Sequence, residues 1–279
     1  MDRLQAFGQI VAQAARGELV FPTSVNASLR LQLALANPAC HIEEAIKLVL
    51  SEPLLAARIV AMGNSALFHR AGSDPVTSAR AAVMRMGQRN LYSLVVALVV
   101  RQFGSKISDP SLRAKAEQLW LHTVHVAALA FVIARRVTCI DADTALFAGI
   151  VHEVGSFYLL SRADEFPGLL DDDPEHWMEP AEEIIAREVM KRLLIPEVVS
   201  TAIEALRDGM LALPPESLLD TLLLAKQLSP VPSPMVRNAA APMAQADSVI
   251  DFVIDSETLA SVMDEAAQQV SSMSSALLV

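Results

Sequence analysis

The chain has 279 residues, 53% of them hydrophobic against 19% charged, with a formal net charge of −10. Its mean hydropathy of +0.38 raises the question of a membrane, but a spanning helix needs about 20 apolar residues in a row. The two most apolar stretches stop short, Leu91–Val100 between Arg89 and Arg101 and Val126–Ala134 at Arg135-Arg136, so neither a transmembrane segment nor a membrane partner is expected.

Residues 1–15 are expected as an N-terminal helical segment, without the apolar core of a secretory signal. Ile42, Ala45, Ile46, Val49 and Leu50 fall at i, i+3, i+4, i+7 and i+8, the apolar stripe of a helix. Ser51-Glu52-Pro53 then resets the chain, with Ser51 as N-cap and Pro in the first turn. The helix that follows carries Leu55, Ile59 and Met62 and ends at Gly63-Asn64. After the turn at Gly72-Ser73-Asp74-Pro75, Ala79, Ala82, Val83 and Met86 repeat the pattern up to Gly87. Asn90–Phe103 is apolar nearly all round, the mark of a helix buried on most sides.

Asp109-Pro110 reads as an N-cap and first-turn Pro opening a long helix from about 111 to 137. Asp141 caps the next, which is predicted to run through Leu146 and Ile150 to Gly155. The polar interruption at 164–180 contains Asp171-Asp172-Asp173, a solvated loop without the ligand spacing of a calcium site. Helices resume at Ala181–Leu194, Pro196–Arg207 and Ser217–Leu228. The Pro-rich stretch Ser229–Pro234 is a linker or wrapping segment, and a last amphipathic helix spans Ser256–Val270. Nothing alternates at period 2 for long enough to make a sheet. Aromatics are only 5%, so Leu, Ala, Val, Ile and Met must build the core, a helix-favouring composition.

The charge is uneven. Residues 1–110 carry 11 Lys+Arg against 7 Asp+Glu, and residues 111–279 carry 11 against 25. A nucleic-acid binder would be basic overall, so nucleic acid is not an expected partner. Arg85 and Arg89, at i and i+4, share a helix face that would suit an acidic partner or a nucleotide. Cys40 and Cys139 are read as small buried hydrophobes in a reducing cytoplasm.

Phosphate-binding Gly-rich loops and a G-x-S-x-G elbow are missing. One constellation remains: His122 inside the long helix, and His152-Glu153 near the end of the next. Consecutive helices joined by a short turn lie antiparallel, so these imidazoles and the carboxylate would converge as ligands of a transition metal. His125 lies near the same face.

The stretches Trp120–Ala127 and Ala148–Gly155 resemble the HD superfamily of metal-dependent phosphohydrolases. The preceding region is similar to the HDOD family (HD-related output domain). The marks are Phe21-Pro22, Glu52-Pro53, Asn64-Ser65-Ala66-Leu67-Phe68, Val76-Thr77-Ser78 and Ala82-Val83-Met84-Arg85-Met86-Gly87. The resemblance covers roughly residues 18–210. It implies an all-α fold, a role in bacterial signal transduction, and partner binding at Asn64 and Ser65. The chain also departs from the pattern. Glu153 replaces the Asp of the His-Asp pair, Ser156 stands in place of a Lys, and Ala202-Ile203 is followed by Glu204-Ala205-Leu206-Arg207 rather than paired histidines. A further expected histidine falls near Glu182.

The expected fold is therefore all-α and two-lobed. A helical lobe (16–108) packs on an HD-like bundle (109–228), and residues 229–279 form a Pro-rich linker and C-terminal helix that wraps back or makes an interface. The expected function is a non-catalytic signalling module contacting other regulatory proteins, with no catalytic residues and no required cofactor. His122, His152 and Glu153 are left as a vestigial site for at most one divalent metal. The alternatives are a metal-dependent phosphohydrolase acting on a nucleotide or cyclic nucleotide through the same three residues, and a sensor binding a nucleotide without turnover. A homodimer is compatible with all three.

Overall fold

The computed structural model describes residues 3–19, 21, 26–37, 39–68, 74–105, 107–163, 165–166, 169–170, 178–235 and 254–278. Among them every regular element is a helix: α1 (Arg3–Ala15), α2 (Asn26–Ala36), α3 (Ile42–Leu50), α4 (Pro53–Gly63), α5 (Ala79–Phe103), α6 (Pro110–Arg136), α7 (Ala142–Val151), α8 (Val154–Ala163), α9 (Met178–Arg192), α10 (Glu197–Glu204), α11 (Leu218–Leu228) and α12 (Ser256–Leu278). The all-α expectation holds. The Asp171–Asp173 run lies outside the described residues.

The long helices start where local chemistry satisfies their first N–H groups. Asp109 accepts from the N–H groups of Ser111 and Leu112 at the head of α6, and Asp141 accepts from Thr144 at the head of α7. Ser51 departs from its expected role. It turns back to donate to the Leu48 carbonyl at 2.7 Å, and Glu52 takes the N-cap position of α4 without a side-chain cap. The sequence pattern predicts two helices over residues 79–103, and the backbone between them does leave the helical region at Gly87, with φ 77° and ψ 168°. That positive φ costs a residue without a Cβ little.

α5 is the axis of the fold. Leu91, Ser93–Val100 and Phe103 are all buried, as a helix apolar on every side requires. It packs on α2, α3, α4, α7 and α8. Phe21 joins this core against Phe103 at 5.4 Å and Tyr158 at 6.0 Å between ring centroids. α6, and α7 taken with α8, are long and apolar enough to cross a bilayer, whereas the shorter stretches weighed in the sequence were not. Yet 72% and 89% of those windows are buried inside the protein, so their apolar surface is spent on the core.

Both ends of the described chain close on the middle. α1 packs on α9, and α12 packs on α6 and α4. Arg135 and Arg136 of α6 pair with Glu265 of α12 at 3.0 and 2.6 Å. The C-terminal helix thus wraps back, and it extends eight residues beyond the predicted Val270. Cys40 is buried as expected, but Cys139 is exposed. It sits between α6 and α7 with φ of 52°.

Candidate metal centre

His122 lies in the middle of α6, while His152 and Glu153 form the short turn between α7 and α8. The predicted continuous helix to Gly155 is interrupted here by a two-residue turn, in which His152 keeps helical dihedrals (φ −61°, ψ −25°). Ligand atoms of His122, His152 and Glu153 lie within 4.8 Å of one another. The two Nε2 atoms are 3.3 Å apart, and His152 Nε2 lies 3.9 Å from Glu153 Oε1.

Two backbone carbonyls fix the protonation pattern. His122 Nδ1 is 2.7 Å from the Val231 carbonyl oxygen, and His152 Nδ1 is 2.7 Å from that of Gly149. A carbonyl can only accept, so each ring donates from Nδ1. Burial presses both imidazoles toward the neutral form, His152 down to about 3. Each neutral ring is then left with a bare Nε2 lone pair aimed at the other. Carbonyl-anchored Nδ1 and free Nε2 is how protein imidazoles are commonly prepared for a metal.

The surroundings work partly against an ion. Burial raises the Glu153 carboxyl, but Lys226, His152, the Ser156 hydroxyl and His122 together outweigh it, and the group stays below its ordinary value. Lys226 Nζ is 3.8 Å from Glu153 Oε1, so an ammonium already faces the carboxylate. Ser156 Oγ lies 2.6 Å from Glu153 Oε2 and 2.8 Å from Glu182 Oε1. One hydroxyl proton is thereby shared between two carboxyl groups, tying α8 to α9. The three ligands fit a single divalent cation of the zinc or iron type.

His125, one turn further along α6, is half-buried, and burial, with His122 beside it, lowers its basicity. The candidates in the N-terminal half stand apart from this centre and are occupied by intrachain bonds. Asn64 clips the chain together, donating to the Val76 carbonyl and accepting from the Val76 N–H, both at 2.8 Å. Ser65 is buried, with its hydroxyl 3.6 Å from Met62 Sδ. Arg85 donates to the carbonyls of Gly63 and Asp74, and Arg89 of α5 pairs with Asp141 at the head of α7 at 3.2 Å.

Sequence reasoning missed Lys226, the Val231 carbonyl and the role of Gly149. A lone Lys in the last turn of an apolar helix reads as a partner of the helix dipole, and a backbone carbonyl has no sequence signature. The Pro-rich stretch reads in the sequence as a linker or a wrapping segment, with no sign that Ser229 and Val231 would close over His122, where Ser229 Oγ braces the same carbonyl at 2.9 Å.

Fold and site together define a helical domain of the HD-related kind. The HDOD domain model matches residues 21–189, and the chain belongs to the HDOD family. A candidate metal-dependent phosphohydrolase of Shewanella amazonensis SB2B has a similar structure, with TM-score 0.69 and 19% identity over 97% of this chain and 99% of that one. An HDOD domain protein of unknown function from Geobacter sulfurreducens aligns with TM-score 0.62 and 18% identity over the whole of both chains. A candidate signal transduction protein of Marinobacter aquaeolei VT8 aligns with TM-score 0.57 and 19% identity over 99% of this chain and 66% of that one. At such identities the likeness establishes the fold. No curated protein matches in sequence.

Proposed function

We propose that this chain is a non-catalytic signal-transduction module of the bacterial cytoplasm, acting through contacts with other regulatory proteins while its HD-type centre serves as a buried structural element. The observation that carries this reading is burial: His122, His152 and Glu153 are only 3%, 8% and 8% exposed. A hydrolytic metal must keep an open position for water and substrate. Here the Ser229–Val231 segment closes over His122, Lys226 faces Glu153, and Glu153 and Glu182 share Ser156. The free thiols of Cys40 and Cys139 suit a reducing compartment.

A second reading, a metal-dependent phosphohydrolase acting on a nucleotide or cyclic nucleotide, is favoured by one observation, the facing Nε2 lone pairs beside Glu153. It also agrees with the name of the Shewanella protein. The deciding experiment loads the purified chain with Mn, Fe or Zn and assays phosphodiester and cyclic-nucleotide hydrolysis beside His152→Ala. The expected result is no turnover above that variant. Metal-stimulated hydrolysis lost in His152→Ala would replace the proposal with the second reading.

A further inference from the structure

The last turn of α11 carries Lys226, a place where a lysine ordinarily faces water and offsets the helix dipole. Here its Nζ instead lies 3.8 Å from Glu153 Oε1, on a side chain that is only 10% exposed. The helix that brings it in is firmly held. α11 packs on α6 and α7, its Leu222, Leu224 and Ala225 are buried, and the Thr221 and Thr138 hydroxyls meet at 2.7 Å. The chain just past Lys226 supplies a second contact with the centre, because the Val231 carbonyl accepts from His122 Nδ1. Gln118 of α6 donates to the Pro232 carbonyl at 3.3 Å and pins that stretch. The end of one helix thus delivers an ammonium to Glu153 and a carbonyl to His122.

The groups it meets have the spacing of ligands on one ion. Two nitrogens bound tetrahedrally at about 2.0–2.1 Å lie about 3.3–3.4 Å apart, and the Nε2 atoms of His122 and His152 are 3.3 Å apart. A buried carboxylate stripped of its partner is costly, so Glu153 needs a positive charge from some source. An ammonium and a divalent cation a few ångströms apart repel each other strongly where water is scarce. The two therefore compete for Glu153.

We infer that Lys226 is the resident cation of the His122–His152–Glu153 centre: its ammonium takes the charge-balancing place of a divalent metal and keeps the metal out. Lys226 thereby selects the metal-free form of a ligand set that is otherwise complete enough to hold an ion. This rests on the reading of the centre as a structural element rather than a hydrolytic one.

The test compares the parent chain with Lys226→Met, which keeps the stem and removes the charge, and Lys226→Arg, which keeps the charge. Each full chain, stripped of metal by a chelator, is titrated with Zn²⁺ in a calorimeter and with Co²⁺ by visible absorption, which reports coordination geometry. Lys226→Met is expected to bind one equivalent of Zn²⁺ with Kd below about 10 μM. That is about tenfold or more tighter than the parent or Lys226→Arg, and the binding should vanish in Lys226→Met/His152→Ala. Zn²⁺ should also raise the melting temperature of Lys226→Met and leave the parent unchanged, because an ion held by the folded state stabilises it. If Lys226→Met does not fold, Lys226→Gln decides in its place. The inference is overturned if the parent binds Zn²⁺ as tightly as Lys226→Met, or if Lys226→Arg gains metal as Lys226→Met does. It is equally overturned if folded Lys226→Met binds none, or if its metal survives His152→Ala. Metal uptake by the parent without hydrolysis removes the role of Lys226 and leaves the structural reading standing, whereas metal-stimulated hydrolysis by the parent removes both.

Discussion

Gly149 does two things for the metal centre: its carbonyl holds the His152 ring, and its missing side chain lets α7 lie against α6. A Cβ there would come within 2.5 Å of Ala127 Cα and 2.9 Å of Ala127 N. Those are backbone atoms, which cannot rotate away. Gly149→Ala is therefore expected to lower stability by about 1–3 kcal/mol in urea denaturation. Ala127→Gly should not restore it, because the conflict is with the backbone rather than the Ala127 methyl. A Gly149→Ala chain as stable as the parent would refute the close approach. The meeting of His122 with His152 was legible from two antiparallel helices and their spacing. The role of Gly149 was not, because close approach belongs to a pair of helices and leaves no mark on either one alone.

At the scale of elements, α11 shows how a short helix is held while it presents Lys226. Asp220 accepts from the N–H groups of Ala212, Glu216 and Ser217 and from Ser217 Oγ, and Ser217 completes a capping box. Burial raises the Asp220 carboxyl, but the Ser217 hydroxyl and the three backbone donors overcome it and hold the group below its ordinary 3.8. A folded-state value below the unfolded one means that this contribution to stability is full above about 3.8 and fades as pH falls through the folded value. Asp220→Asn is expected to cost about 1–3 kcal/mol at neutral pH. The gap to the parent should narrow in acid, as read from urea denaturation across the pH range. A constant gap would mean that the charge contributes nothing. Most helices were legible as stripes and caps, including those headed by Asp109 and Asp141. α2 was not singled out, and the break at His152-Glu153 was missed because its residues continue the apolar pattern on either side.

For the whole molecule, α12 tests whether apolar contact or charge holds the C-terminal helix. Met273 is 2% exposed and borders a void of about 20 Å³ with Met62, Leu94 and Ile150 from three different helices. Nearby, the Ala66 N–H donates to Ser272 Oγ at 2.7 Å. Met273→Ala is expected to cost about 2–5 kcal/mol. Glu265→Gln, at an ion pair whose arginines are 55% and 46% exposed, should cost only about 0.2–1 kcal/mol. Denaturation of the two variants side by side checks the order, and a larger loss in Glu265→Gln would show that charge dominates. α12 covers part of the Asn64–Phe68 motif, which the sequence reading had left open to partners.

By itself the sequence determined the helical class, most of the helices with their caps, and the three residues most suited to hold a metal. Those follow from periodicity, composition and the chemistry of single side chains. Only the tertiary structure decided what that centre faces: Lys226 opposite Glu153, Ser156 between Glu153 and Glu182, and a Val231 carbonyl fixing the His122 tautomer. Charge, tautomer and access depend on distances between residues far apart in the chain, and sequence periodicity carries no record of them.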